Sequence, residues 1–266
     1  MILYPLNGSF RPVSSSSAEV SVWDAIAQQQ QQDDSSWWLI TQPDHAALAG
    51  SLASALHSPF LPSLDDGIIQ AIALHDAGWA SFDTPIPSAD GPTPRLSPTG
   101  RPLSFLDADV SDFLSAWIIS IDRAAAAAPI GGIMVSAHFS RLGEMRRTLG
   151  IDSRDEAQQI SAFLKEEAAR RHGLAQQDRH SDAERGVLID VLQFCDLLSL
   201  YLCCGSRQNV EFPQRFAGKT MRLSRQGEEC CLTPALFGSG ISLGIQARPF
   251  PACDQSPSVA IPFLLG

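Results

Sequence analysis

The chain has 266 residues, of which 44% are apolar and 18% charged, and its formal net charge is −10 at pH 7. This length suits one domain with a small addition, and the apolar fraction excludes wholesale disorder. The acidic charge argues against binding to nucleic acid polymers or anionic membranes, since both need a cationic surface. No apolar run approaches the roughly 18 residues of a membrane span and no signal-peptide pattern is visible, so we expect a cytoplasmic protein.

The first part of the chain combines short strand candidates with low-complexity runs. Residues 1–36 hold one strand candidate and the serine- and glutamine-rich runs at 14–17 and 28–32, which predict a flexible insertion. Trp37–Ile40 is a compact strand candidate, and the pattern from there to residue 205 is mostly helical. The proline-rich segment 84–104 interrupts it, and we predict a lid or binding loop there.

Glycine, proline and β-prone residues dominate the C-terminal segment 206–266. We therefore predict a mainly α fold, with a helical domain over 37–205 and a small β-rich appendage formed by the N- and C-terminal segments. The six cysteines form no C-x-x-C pair, and we interpret them as reduced and mostly buried thiols.

Three histidines lie where the helical periodicity points inward. Thr41-Gln42-Pro43-Asp44 has the pattern of a helix start, and His45 then shares a face with Leu48 and Leu52. A second helical segment, 65–78, aligns His75 and Asp76 with its apolar side chains. His138 follows Met134 and Val135 in the same way.

Asp196 lies in a segment, 187–204, that is apolar nearly all round, which predicts a buried helix. A carboxylate there costs several kcal/mol unless a cation or a metal ion meets it. Together with His45, His75 and Asp76 it would make a set of two imidazoles and two carboxylates that suits a first-row divalent metal. Each residue taken alone is more commonly a hydrogen-bonded core residue, so the pattern leaves both interpretations open.

The order His45, then His75-Asp76, then Asp196 resembles the HD superfamily of metal-dependent phosphohydrolases. The strings TQPDH at 41–45 and HDAGW at 75–79 are similar to the uncharacterised DUF3891 family, and the similarity covers about residues 37 to 205. The resemblance implies an HD-like helical bundle whose ligands to one divalent ion (Mn, Fe, Co, Ni or Zn) are His45, His75, Asp76 and Asp196. A second metal ion is less favoured, because His138 is the one further inward histidine.

The resemblance also implies hydrolysis of a small phosphoester, such as a nucleotide, by metal-activated water, with Asp76 as the catalytic residue. Trp79 stands where many HD hydrolases have a lysine. We therefore take His138, Arg141, Arg101 and Trp79 as the candidate substrate-binding residues. Asp83 is a further acid that could lie near the opening of the same site. The alternatives are a non-catalytic metal- or nucleotide-binding module, a diiron oxygenase of the HD type, and a helical protein whose buried polar groups satisfy one another.

Overall fold

The computed structural model describes residues 1–5, 19–32, 34–87, 92–227, 229–238, 240–251 and 259–265. Its helices are α1 (Val22–Gln30), α2 (Gln42–Ala55), α3 (Asp66–Leu74), α4 (Ala80–Asp83), α5 (Val110–Ala127), α6 (Pro129–Leu149), α7 (Arg154–Ala175) and α8 (Asp182–Cys203). Its strands are β1 (Ile2–Pro5), β2 (Val20–Ser21), β3 (Trp37–Ile40), β4 (Val210–Phe216), β5 (Lys219–Gln226), β6 (Glu229–Thr233), β7 (Ile241–Phe250) and β8 (Val259–Leu265). The serine run 14–17 and Cys253 lie outside the described residues.

The strands form one sheet of eight, in the order β1-β3-β7-β8-β6-β5-β4-β2. The pairs β2–β4 and β6–β8 are parallel, and the other neighbouring pairs are antiparallel. The prediction of a mainly α fold with a small β-rich appendage is therefore wrong, because helices and a large mixed sheet share one core. Short strands from both ends of the chain pair across the sheet, and local periodicity cannot reveal that pairing.

Helix α1 replaces part of the flexible insertion that the glutamine run predicts. Ser21 caps the helix, and the helix ends at Gln30. The buried Gln30 side chain donates from Nε2 to the Leu3 carbonyl at 2.8 Å, and its Oε1 accepts from the Leu3 amide at 3.0 Å. The run is thus partly ordered, because one of its glutamines satisfies the backbone of β1.

Helix α8 is the central core helix and packs against α2, α6 and β4. A capping box between Ser181 and Glu184 begins it. By length and hydropathy it passes as a membrane span, but 78% of its most apolar window is buried within the protein. Its Cys195 and Cys203 are buried, as are Cys204 and Cys230, while Cys231 is half-buried.

A close helix contact fixes the relative position of α2 and α3. A Cβ added at Gly50 would lie 2.6 Å from the Cβ of Ala73, so only glycine permits this approach. Thr41 caps α2 and Asp65 caps α3, each with its side chain accepting from the backbone amide three residues on. The two predicted helix starts are confirmed. Helix α3 ends earlier than predicted, at Leu74, and leaves His75 and Asp76 in the turn that follows.

Candidate metal centre

Three separate elements bring the four predicted ligands together. His45 lies in the first turn of α2, His75 and Asp76 follow α3, and Asp196 lies in the middle of α8. One donor atom from each residue lies within 4.8 Å of the others, and all four residues are buried. The cluster therefore has the composition and the size of a site for one metal ion.

Each imidazole presents its Nε2 atom to both carboxylates. His45 Nε2 is 2.9 Å from Asp76 Oδ2 and 3.6 Å from Asp196 Oδ1. His75 Nε2 is 3.2 Å from Asp196 Oδ1 and 3.7 Å from Asp76 Oδ2. Two nitrogen atoms and two oxygen atoms thus converge on one small space.

The remaining ring nitrogens hold the two histidines in the orientation that a metal ligand needs. His75 Nδ1 donates to the Ile72 carbonyl at 2.7 Å. His45 Nδ1 donates to Ser199 Oγ at 2.8 Å, since that hydroxyl already donates to the Asp196 carbonyl. Because Nδ1 is the donor in both rings, Nε2 is the nitrogen that each ring would offer to a metal ion, as in many metal sites.

When no metal ion is bound, a proton on His75 supplies the positive charge that the buried carboxylates need. Burial lowers the pKa of His75, but the charges of Asp76 and Asp196 and the hydrogen bond to Asp196 raise it to about 9. Burial raises the pKa of Asp196, but His75 more than offsets this and holds it below its usual range. The positive partner that a buried Asp196 requires is therefore an imidazolium, which a divalent ion can replace.

His138, on α6, lies beside this cluster. Its Nε2 is 3.8 Å from Asp196 Oδ2, and its ring centroid is 5.6 Å from that of His75. Burial lowers its pKa to about 4, so it is neutral at pH 7. Its buried Nδ1 has no hydrogen-bond partner among the described residues. Such an atom is costly unless a ligand or water meets it.

Among the described residues, two cavities border the cluster. The first, of about 530 Å³, carries Arg141 and Arg215, and we call it the arginine cavity. The second, of about 400 Å³, is lined mostly by aromatic and aliphatic side chains, and we call it the aromatic cavity. His138 and Asp196 line both, so the two cavities meet at the candidate metal centre.

The structure places the predicted substrate-binding residues at different distances from this centre. Arg141 lines the arginine cavity, where it pairs with Asp190 at 2.6 Å, and the buried Trp79 lines the aromatic cavity. Arg101 lines neither cavity: it pairs with Asp107 at 3.1 Å and donates to the Gln30 carbonyl. Asp83 also turns away, because it accepts from the Gln42 amide and lies 2.7 Å from the Met1 nitrogen.

The segment 84–104 contributes no described residue to either cavity, and residues 88–91 lie outside the described ranges. Phe105 and Leu106, which follow it, line the aromatic cavity. Its function as a lid stays a prediction.

Sequence reasoning missed two residues of the site. Ser199 lies one helical turn after Asp196, and that spacing is a usable signal for a supporting hydroxyl. Arg215 lies on β4 in an alternating pattern of buried and exposed residues, and nothing in its local sequence distinguishes it from a surface arginine.

The comparison with protein families is consistent with this architecture. A family model described as a protein of unknown function, DUF3891, matches residues 28–250. This range contains all four candidate ligands and also strands β3 to β7, so the match covers helices and sheet together. No curated protein and no solved structure matches the chain.

Proposed function

The chain belongs to the DUF3891 family, and from its buried donor cluster we propose that it is a metal-dependent phosphohydrolase acting on a small phosphoester. One observation carries this proposal: two imidazoles and two carboxylates converge in one cluster, and its Asp196 lines a cavity that two arginines also line. Imidazole and carboxylate donors suit Mn, Fe, Co, Ni or Zn in the divalent state. The order of the four residues, which resembles the HD superfamily, supports the same reaction class.

The donor set fits such an ion. His45, His75, Asp76 and Asp196 supply one donor atom each, and the protonated Nδ1 atoms leave both Nε2 atoms free to ligate. When bound, a divalent ion lowers the pKa of a coordinated water and polarises a phosphoryl oxygen.

The residues around the cluster would bind the substrate and transfer the proton. Asp76 lines the aromatic cavity, so its carboxylate is within reach of a water molecule there and would accept its proton. His138, neutral and with an unpartnered Nδ1, would hydrogen-bond the phosphoryl group or the leaving oxygen. Arg141 and Arg215 would hold the remaining phosphoryl oxygens, since guanidinium groups bind such anions in a bidentate way.

All four residues of the cluster are buried, and the cavities beside it measure about 530 and 400 Å³, which supports a small substrate. The net charge of −10 supports the same conclusion, because a nucleic acid polymer or an anionic membrane would be repelled. We therefore propose a cytoplasmic enzyme of small-molecule metabolism.

The test begins with elemental analysis of the purified protein, followed by phosphate release from p-nitrophenyl phosphate and nucleoside monophosphates. About one equivalent of a divalent metal and measurable turnover are expected. His75→Ala and Asp76→Ala should lose both, whereas Asp66→Asn, which changes an exposed acid at the opposite end of α3, should lose neither. Retention of metal and activity by both alanine variants would refute the assignment.

A second candidate function is a metal- or nucleotide-binding module without turnover. The observation that favours it is the pairing of Arg141 with Asp190, which uses part of the positive charge of the arginine cavity. Asp190 and Asp196 also line that cavity and would repel an anion before the metal ion binds. Tight binding of a nucleotide to the metal-loaded protein with no phosphate release would select this function.

A further inference from the structure

The aromatic cavity specifies the substrate class, an inference that rests on the proposed function. We propose that this cavity holds a hydrocarbon chain, so that the substrate is a phosphomonoester of an apolar alcohol rather than a nucleotide. Its phosphoryl group would lie at the metal centre and its chain would extend away from it.

The walls of the cavity are apolar over most of their surface. Six aromatic residues line it: Trp23, Trp79, Phe105, Phe113, Trp117 and Phe139. Two of these rings, Trp117 and Phe139, stack with a centroid separation of 4.9 Å. Packed rings of this kind present a continuous surface that excludes water and stabilises buried CH₂ groups.

Few polar groups line the cavity away from the metal centre. Among the described residues, they are Gln31, Gln42 and Arg146. Arg146 already pairs with Asp152 at 2.7 Å and lies over the Phe113 ring, so its positive charge is balanced by a neighbouring carboxylate. A nucleobase needs several fixed donors and acceptors around its edge, and two glutamines supply few of them.

The apolar surface continues from the metal centre to the outside of the protein. Leu106, Met145, Leu149 and Ile151 line the same cavity and are 42%, 43%, 63% and 68% exposed, respectively. Large apolar side chains grouped at a cavity mouth are typical of binding sites for apolar ligands. A chain longer than the cavity would therefore remain in contact with apolar side chains as it emerges.

The two cavities share one wall, which orients the substrate. Trp23, His138, Leu142, Met145 and Asp196 line both. Arg141 and Arg215 line only the arginine cavity, whereas Trp79, Phe113 and Trp117 line only the aromatic cavity. A phosphomonoester with a charged end and an apolar end matches that division.

The first experiment measures binding without turnover. Methyl-, butyl-, hexyl- and octylphosphonate, none of which can be hydrolysed, are titrated into the metal-loaded protein below their micelle concentrations. Binding is followed by tryptophan fluorescence, because Trp23, Trp79 and Trp117 line the cavity. We expect affinity to rise about two- to fourfold for each added methylene group until the cavity is filled.

Leu149 and Ile151 belong to the rim, by which we mean the exposed apolar residues at the mouth of the aromatic cavity. Variants of these two residues test whether the chain-length dependence of affinity arises there. Leu149→Asp and Ile151→Asp should each lower the ratio of octyl- to methylphosphonate affinity about tenfold. Leu264→Asp is the matched control, because Leu264 is 47% exposed and lines neither cavity. Its ratio should equal that of the wild type. The second readout is kcat/KM for octyl phosphate against that for adenosine monophosphate, and the former should be higher.

The outcomes separate the two proposals. Hydrolysis of nucleotides with no dependence on chain length would overturn the hydrocarbon assignment and leave the phosphohydrolase intact. Affinity that rises with chain length, with no hydrolysis of any phosphoester, would refute the phosphohydrolase and keep the hydrocarbon cavity as a ligand site. Binding of the rim to phosphatidylcholine vesicles, with equal affinity for all phosphonates, would assign the rim to a membrane surface and overturn the proposal.

Discussion

His75 Nε2 lies 3.2 Å from Asp196 Oδ1, although 121 residues separate the two in the chain. Both side chains are buried, so the proton on His75 is stabilised by charges that water does not screen. Because a divalent ion ligated by the same Nε2 atom has to displace this proton, the proton and the metal compete for one position.

Metal affinity should therefore depend on pH. The pKa of His75 is raised to about 9 in the metal-free protein, so the residue is protonated at pH 7 and must lose that proton on binding. Apparent affinity should fall about tenfold for each unit that the pH drops below 9, and should level off above it. Calorimetric titration with Mn²⁺ between pH 6.5 and 8.5, in two buffers of different ionisation enthalpy, measures both the affinity and the protons released. Close to one proton is expected at pH 7.5, and a pH-independent affinity would argue against His75 as a ligand.

Asp196→Asn should abolish stoichiometric metal binding. The substitution keeps the size of the side chain but removes a charged donor that both histidines face. We expect metal affinity to fall by at least about 100-fold, measured by elemental analysis after dialysis against buffered metal. Asp182→Asn, on a fully exposed acid in the first turn of the same helix, is the control and should bind metal as the wild type does.

Ser199→Ala tests the hydrogen bond that orients His45. The hydroxyl accepts from His45 Nδ1 at 2.8 Å, and without it the ring can rotate or change tautomer. We expect a 10- to 100-fold loss of metal affinity, measured by competition with a chelating dye, and a loss of about 1–3 kcal/mol in the stability of the metal-free protein, because the buried Nδ1 loses its partner. Unchanged affinity would show that packing alone fixes the His45 ring.

Gly78→Ala should destabilise the turn that carries Asp76. A Cβ at this position would lie 2.0 Å from the Ala116 carbonyl oxygen, so α5 or the turn would have to move. We expect a loss of about 1–3 kcal/mol in the free energy of unfolding, measured by denaturant titration. Gly173→Ala, in α7 with no atom within 4 Å of the added Cβ, should instead stabilise by about 0.4–1 kcal/mol. Equal effects of the two substitutions would contradict the close packing inferred at Gly78.

Metal binding should also raise the thermal stability of the protein. An ion that binds only the folded state adds about 2.7 kcal/mol at a concentration 100 times its Kd. Thermal unfolding with and without a chelator measures this, and His45→Ala should show no response to added metal. A wild-type protein whose Tm is unaffected by every divalent ion would favour the interpretation that the polar cluster satisfies itself.

The helix starts and the inward face of His45 could be predicted, because caps and periodicity are local properties. Thr41 and Asp65 cap their helices through contacts three residues away. The size of the sheet could not be predicted in this way. Strand β3 pairs with β7, more than 200 residues later, so no local signal connects these two strands. Strand β2 has only two residues, which is too short for a recognisable alternating pattern.

The clustering of these four residues could be predicted in part, because buried polar residues are costly and so stand out in apolar segments. His75 and Asp76 interrupt an apolar stripe, and Asp196 interrupts an apolar helix. The residues around the cluster were harder to predict from the sequence. Arg101 lies in a loop and contacts the nearby Asp107 and the distant Gln30, whereas Arg215 lines the cavity from the sheet.

The order in which the ligands occur along the chain has a consequence for biogenesis. The last of the four arrives with α8, so a ribosome has to synthesise that helix before the coordination sphere can close. If a metal ion binds there, it would be selected at the time and place where folding finishes, from the metals available there. Protein produced in a heterologous host would on this basis contain that host's abundant metal, and reconstitution from a fully demetallated preparation is needed to identify the native one.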